Sequence, residues 1–128
     1  MNKHLPVLIV LLGFGLVGCA TAYQSHGVTG GFRETQLSEN MWKVIFSGND
    51  FTSREQASDF TLLRCAEITI QSGYRYFKII NVAKLSRAAY DENTIVLFKE
   101  GEKPENDTTV YDAKFLNISL KEKYKINS

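Results

Sequence analysis

Histidine is nearly absent from this chain of 128 residues: His4 precedes an apolar run, and His26 stands in a small, polar stretch without periodicity. Imidazole general acid–base catalysis, a Ser-His-Asp arrangement and a histidine-bearing zinc site therefore lack parts. No catalytic residue and no metal is expected. No G-x-x-x-x-G-K-S/T segment occurs, and a loop of that kind is what cradles phosphates, so no cofactor is expected either. Gly30-Gly31 is a lone pair, better suited to backbone geometry at a domain entry than to ligand contact. Net charge is equally scarce. The chain carries 15 basic and 14 acidic residues, and beyond Gly18 the two signs balance, because of these only Lys3 lies before it. Nucleic acid normally requires a clearly basic face and is not an expected partner. Nor does any apolar run reach the roughly 20 residues that a bilayer-spanning helix needs.

What the start of the chain does have is a three-part layout. Lys3 and His4 form a short basic region, residues 5–17 are apolar, and small Gly18 stands directly before Cys19. That is the order of a secretory signal. The junction Leu16-Val17-Gly18-Cys19 resembles the lipobox of bacterial lipoproteins. The resemblance implies a signal peptide over residues 1–18, cleavage between Gly18 and Cys19, and lipid on Cys19 as the mature N-terminus. Several acyl chains, at about 0.8 kcal/mol per buried CH₂, make such an anchor effectively permanent. Ala20, not aspartate, follows the cysteine. In Gram-negative sorting this implies the outer membrane, with the domain facing the periplasm. With Cys19 lipidated, Cys65 has no partner in the chain. An oxidising compartment usually pairs its cysteines, so Cys65 is either buried as a small apolar residue or bridged to another molecule.

Beyond the signal there is one ordinary domain's worth of chain. Residues 19–30 are small and polar and read as a flexible tether, residues 31–120 as a single domain, and residues 121–128 as a frayed basic tail. Within the domain, residues 32–37 and 41–46 read as strands joined by a turn at Ser38-Glu39-Asn40. Thr52 with Glu55, and Ser53 with Gln56, offer two overlapping capping boxes. A helix should run from there to about Ser72, with Gly73 as the stop. Its apolar face gathers Phe60, Leu62, Leu63, Ala66 and Ile70, leaving Thr61, Arg64, Gln71 and Ser72 opposite. Residues 74–82 and 94–98 read as strands with a polar connector between them. The last strand is expected over 108–120, with a phase change near Phe115 that suggests a bulge. The order β-β-α-β-β-β predicts an α+β fold: an antiparallel sheet of about five strands with one helix packed on one face.

Glu67 is the most interesting ionisable residue, because it lies at the edge of the apolar face and three positions from Arg64. A partly exposed ion pair, a buried polar anchor and a site acid are the three readings. Asn49 and Thr52 are candidates to line a pocket before the helix, or simply a turn residue and a cap. Tyr74, Tyr76 and Phe77 read as core more readily than as a recognition surface.

Four motifs follow in order: Gly30-Gly31-Phe32-x-Glu34, Phe46-x-Gly48-Asn49-x-Phe51-Thr52-Ser53, Leu62-Leu63-Arg64-x-Ala66-Glu67-x-Thr69 and Gly73-Tyr74-x-x-Phe77. With the lipobox, they resemble a family of small proteobacterial outer-membrane lipoproteins of unassigned function. The resemblance spans residues 23–80, implies the localisation and the domain limits, and transfers no catalytic residue. Cys65 stands where that pattern has alanine, which fits a small buried side chain. The expected function is a lipid-anchored, periplasm-facing envelope protein, not an enzyme, with a binding or structural role and an envelope protein as its partner. An envelope-stress sensor is the first alternative, by fold-level analogy over residues 62–80. A small-molecule binder using Glu67 is the second.

Overall fold

The computed structural model describes residues 19–27, 30–85 and 89–127; the expected signal peptide, with Gly18 of its cleavage site, lies outside them. β1 (Gly31–Ser38) and β2 (Met41–Ser47) form the expected hairpin. Alternation along β2 turns Val44 and Phe46 inward, where both are buried, because successive strand side chains point to opposite faces. α1 (Arg54–Gln71) is capped by Ser53, whose side chain accepts from Gln56 N at 3.0 Å. Of the two caps expected, Ser53 is the one used, and Thr52 serves elsewhere. The helix ends at Ser72, and Gly73 follows with φ +82°.

β3 (Tyr76–Lys84) and β4 (Tyr90–Phe98) pair antiparallel over their whole length. Of the expected connector over residues 83–93, residues 83–84 and 90–93 are strand. Asp91 and Asn93 share the inward parity of Ile95 and Leu97 and are buried with them. Their polarity hid the alternation. A bulge between Ile79 and Asn81 leaves Ile80 out of register, the local cost of keeping Lys84 opposite Asp91.

The last part of the chain departs most from expectation. β5 (Val110–Asp112) has three residues, and α2 (Ala113–Tyr124) begins directly after it. Asp112 caps it, accepting from Lys114 N and Phe115 N. The supposed phase change was a switch of period: Ala113 and Leu120 are buried and Leu116 packs on the same core, a helical spacing. Lys121 and Lys123 complete the last turn, where basic residues favour the helix dipole. Residues 121–124 are thus helix, not a frayed tail.

The sheet order is β1-β2-β4-β3-β5, every pair antiparallel. α1 lies across the sheet and packs against α2 as well, so the described residues hold two helices where one was expected. Being covered on two sides widens its buried face. Thr61, placed on the outer face by periodicity, is buried and donates to Ala57 O at 2.7 Å. One core cluster joins Val44, Cys65, Ile68, Phe77, Ile95 and Leu97; a second joins Phe46, Ala57 and Phe60 with Tyr23, Phe32 and Tyr124. Cys65 is fully buried beside Asn93, which removes its thiol from the reach of another molecule.

Candidate functional site

The Gly30-Gly31 pair is where the chain turns tightly upon itself. Gly31 has φ +130°, and a Cβ there would stand 2.4 Å from Gln24 O. Only glycine permits so close an approach, and the approach lets residues 24–26 run against the start of β1. Phe32 N donates to Gln24 O at 2.7 Å, and His26 N donates to Phe32 O at 2.8 Å.

Further upstream the hold is tighter. Thr21 is 1% exposed. Its N donates to Thr52 Oγ1 at 2.9 Å, and its Oγ1 accepts from Asn49 N at 2.8 Å. Asn49 Nδ2 donates to Cys19 O at 2.8 Å, while its Oδ1 accepts from Phe51 N and from Thr52 Oγ1. A side chain on Gly48 would collide with Thr52, 2.6 Å away. Residues 19–27, expected as a flexible tether, are therefore docked. Their partners lie far along the chain, so composition alone reads the segment as a linker.

Tyr23 carries the docking onto α1. Its ring packs 4.9 Å from Phe32 and 5.3 Å from Phe60, and its hydroxyl donates to Glu67 Oε1. Lys121 Nζ lies 3.4 Å from Glu67 Oε2, and Arg64 Nη1 lies 3.6 Å from Oε1. Burial pushes the Glu67 carboxyl up, opposed by Lys121. Arg64 has a nearer partner than Glu67: its guanidinium grips Glu34 with two hydrogen bonds, at 2.5 and 3.3 Å, and lies 4.5 Å over the Phe32 ring. The Arg64–Glu67 pair, expected as partly exposed, belongs to a partly buried network of Glu34, Arg64, Glu67, Lys121 and Tyr23.

The three polar candidates fall into one role. Asn49 holds Cys19 and Thr21, Glu67 holds Tyr23, and Arg64 ties Glu67 to β1. They surround the N-terminal segment and use their polar atoms on the chain itself. Among the described residues no group of three or more His, Cys, Asp or Glu could hold a metal ion. Burial pushes the Cys65 thiol up, which disfavours the thiolate that a nucleophile requires.

Sequence reasoning missed a second feature. Between α1 and β3–β4 lies an open cleft of about 180 Å³, with Leu62, Ile79, Val82 and Tyr111 on its apolar side and Ser58, Lys84, Asp91 and Asn93 on its polar side. Asp91 is 3% exposed, and its Oδ1 has no hydrogen-bond partner; Lys84 Nζ approaches to 4.0 Å. Burial pushes the Asp91 carboxyl up, opposed by Lys84 and by the hydroxyls of Ser58 and Thr61. The signal was present in the shared parity of positions 91, 93, 95 and 97.

Large apolar side chains are exposed at Phe51 and Leu85 near the N-terminus of α1, at Leu37 on β1, at Ile80 and Val82 on β3, at Tyr111 on β5, and at Phe115 and Ile118 on α2. Among the described residues no helix is long and apolar enough to cross a membrane. No protein family, curated protein or solved structure matches the chain.

Proposed function

We propose that the chain is a lipid-anchored, periplasm-facing protein of a bacterial outer membrane, held by acyl groups on Cys19, whose domain binds or supports an envelope partner without catalysis. The observation that carries this reading is the clasp on the N-terminal segment. Cys19 is exposed at the point where the domain takes hold of the chain through Asn49 and Thr21. An acyl group there leaves the protein surface without disturbing the fold. The non-catalytic part is supported by the engagement of Asn49, Arg64 and Glu67 in holding the chain's own N-terminus.

Cys19→Ser tests the anchor. The expected product is an unprocessed, unlipidated precursor, because the thiol is the only group at that junction able to carry a thioether. Normal fractionation with the outer membrane would refute the reading. Glu67→Gln tests the non-catalytic part. The amide keeps the acceptor for Tyr23 and removes both the burial cost of the charge and its attraction to Lys121. Stability measured by urea unfolding should fall by less than about 1 kcal/mol, and any cellular defect should track abundance. An abundant, correctly localised and fully inactive Glu67→Gln protein would overturn it.

Small-molecule binding is favoured by one observation, away from Glu67: the buried Asp91 carboxylate lining the cleft, whose Oδ1 has no hydrogen-bond partner and lies 4.0 Å from Lys84 Nζ. Backbone shifts at positions 91 and 93 that move with a small primary amine, and stay still in Asp91→Asn, would support that second reading.

A further inference from the structure

We propose that the end of the domain around the N-terminus of α1 is seated on the lipid bilayer, with Phe51 and Leu85 entering the boundary between headgroups and acyl chains. This rests on acylation of Cys19 and goes beyond it, since an anchored domain need not touch its membrane.

The geometry leaves little freedom. Cys19 O and Phe51 N both bind the side-chain amide of Asn49, at 2.8 and 3.0 Å, so the lipid-bearing residue and Phe51 are immediate neighbours. Two residues after Cys19, Thr21 is buried. A free segment spans at most about 3.3–3.6 Å per residue, and here no free segment separates the acylated residue from its first fixed atom. The acyl chains therefore draw this end of the domain, and no other, to the bilayer. That end carries exposed apolar side chains: Phe51 is 64% and Leu85 55% exposed. Arg54 links them, donating to Leu85 O at 3.2 Å from three positions after Phe51. Single exposed apolar residues are ordinary, and Leu37, Ile80, Val82, Phe115 and Ile118 are exposed elsewhere; Phe51 differs from them in sharing the Asn49 side chain with the lipid-bearing residue. Asp50 and Glu55 beside Phe51 oppose Arg54, and Lys84 and Arg87 stand beside Leu85 in sequence; with so little net charge, insertion should depend mainly on apolar contact. Phenylalanine and leucine at such a boundary sink about 5–10 Å.

The full chain, lipidated in a Gram-negative host and reconstituted into vesicles of uncharged phosphatidylcholine brominated on its acyl chains, gives the test. Trp42 is the one native tryptophan and lies about 20 Å from Gly48 along β2, at roughly 3.3 Å per residue, so it serves as an internal control. In Phe51→Trp protein the introduced indole should shift to shorter wavelength and lose at least about half its emission, as a depth of 5–10 Å implies, while Trp42 in the unsubstituted protein keeps its own. Leu85→Trp should behave alike, and covers a failure of the first variant to fold. Intact mass showing acyl groups on Cys19, with neither indole quenched, would overturn the seating and leave the anchor standing. Mass showing an unmodified Cys19 would overturn both.

Discussion

The segment at residues 19–25 and the C-terminal end of α2 both finish on the ring of Phe60. Tyr23 meets that ring at 5.3 Å and Tyr124 at 4.9 Å, each edge to face. Each then gives its hydroxyl to a carboxylate of α1, Tyr23 to Glu67 and Tyr124 to Asp59. The similarity ends there. Above Tyr23 the N-terminal segment is fixed by uncharged hydrogen bonds among Thr21, Asn49 and Thr52, buried between Thr21 and Thr52 and partly buried at Asn49. The C-terminal end is fixed by charge, with Lys123 Nζ at 2.8 Å from Glu55 and 2.7 Å from Asp59. Lys123 is 46% and Glu55 75% exposed in the side chain, so salt and water weaken these pairs. A broken buried bond, in contrast, leaves a dry polar group whose full desolvation cost remains. The C-terminal end is therefore the more sensitive of the two to salt.

The largest effect should come from removing what the two ends share. Phe60→Ala should cost about 3–5 kcal/mol, read as a lowered midpoint in urea unfolding, and amide exchange should rise at both termini together. Faster exchange at one end only would break the comparison. Thr21→Val touches the N-terminal end alone. It deletes the acceptor for Asn49 N and leaves that amide its longer contact of 3.2 Å to Thr52. A loss of about 1–3 kcal/mol is expected, unchanged between low and high salt. A loss near zero would mean that the clasp stands open in solution.

The smallest effect concerns the C-terminal end and its response to alkali. Burial and the neighbouring Asp59 push the Tyr124 phenol up from 10.0 to about 12. The folded state thus holds this proton more tightly than the unfolded chain does. The contribution is fully present below pH 10 and is lost as pH rises through about 12. Tyrosinate absorbance should show Tyr124 among the last phenols to ionise, and Tyr124→Phe should remove that step. Ionisation of Tyr124 near pH 10 would show the C-terminal end to be undocked.

The elements legible in the sequence were those whose signals are local. Ser53 and Gln56 announced α1, Gly73 its stop, and the β-branched and aromatic run at 41–46 announced β2. Those that were missed depend on distant partners or on a change of period. Asp91 and Asn93 looked like connector because their inward side is polar, a choice that makes sense only with Ser58, Thr61 and Cys65 opposite. Residues 113–120 carry apolar side chains on both parities, which a strand with a bulge and a helix after Asp112 explain equally well until α1 is in place. The candidate site fared similarly. Asn49, Arg64 and Glu67 stood out by residue type and position, but their common occupant, residues 19–25, could not be read from spacing. Contacts separated by 28, 31 and 44 positions leave no periodic trace.

Those separations also set an order in time. Closing a loop of thirty or forty residues lowers chain entropy and returns nothing until both sides of the contact exist. The clasp has no second side before the turn at 49–52 is made and α1 has formed. Residues 19–25, fixed in the finished molecule, are thus among the last to be fixed, and throughout folding they stay loose enough for an enzyme to work on. Cys19 itself stays exposed when the fold is complete, so the segment is held without its first residue being hidden.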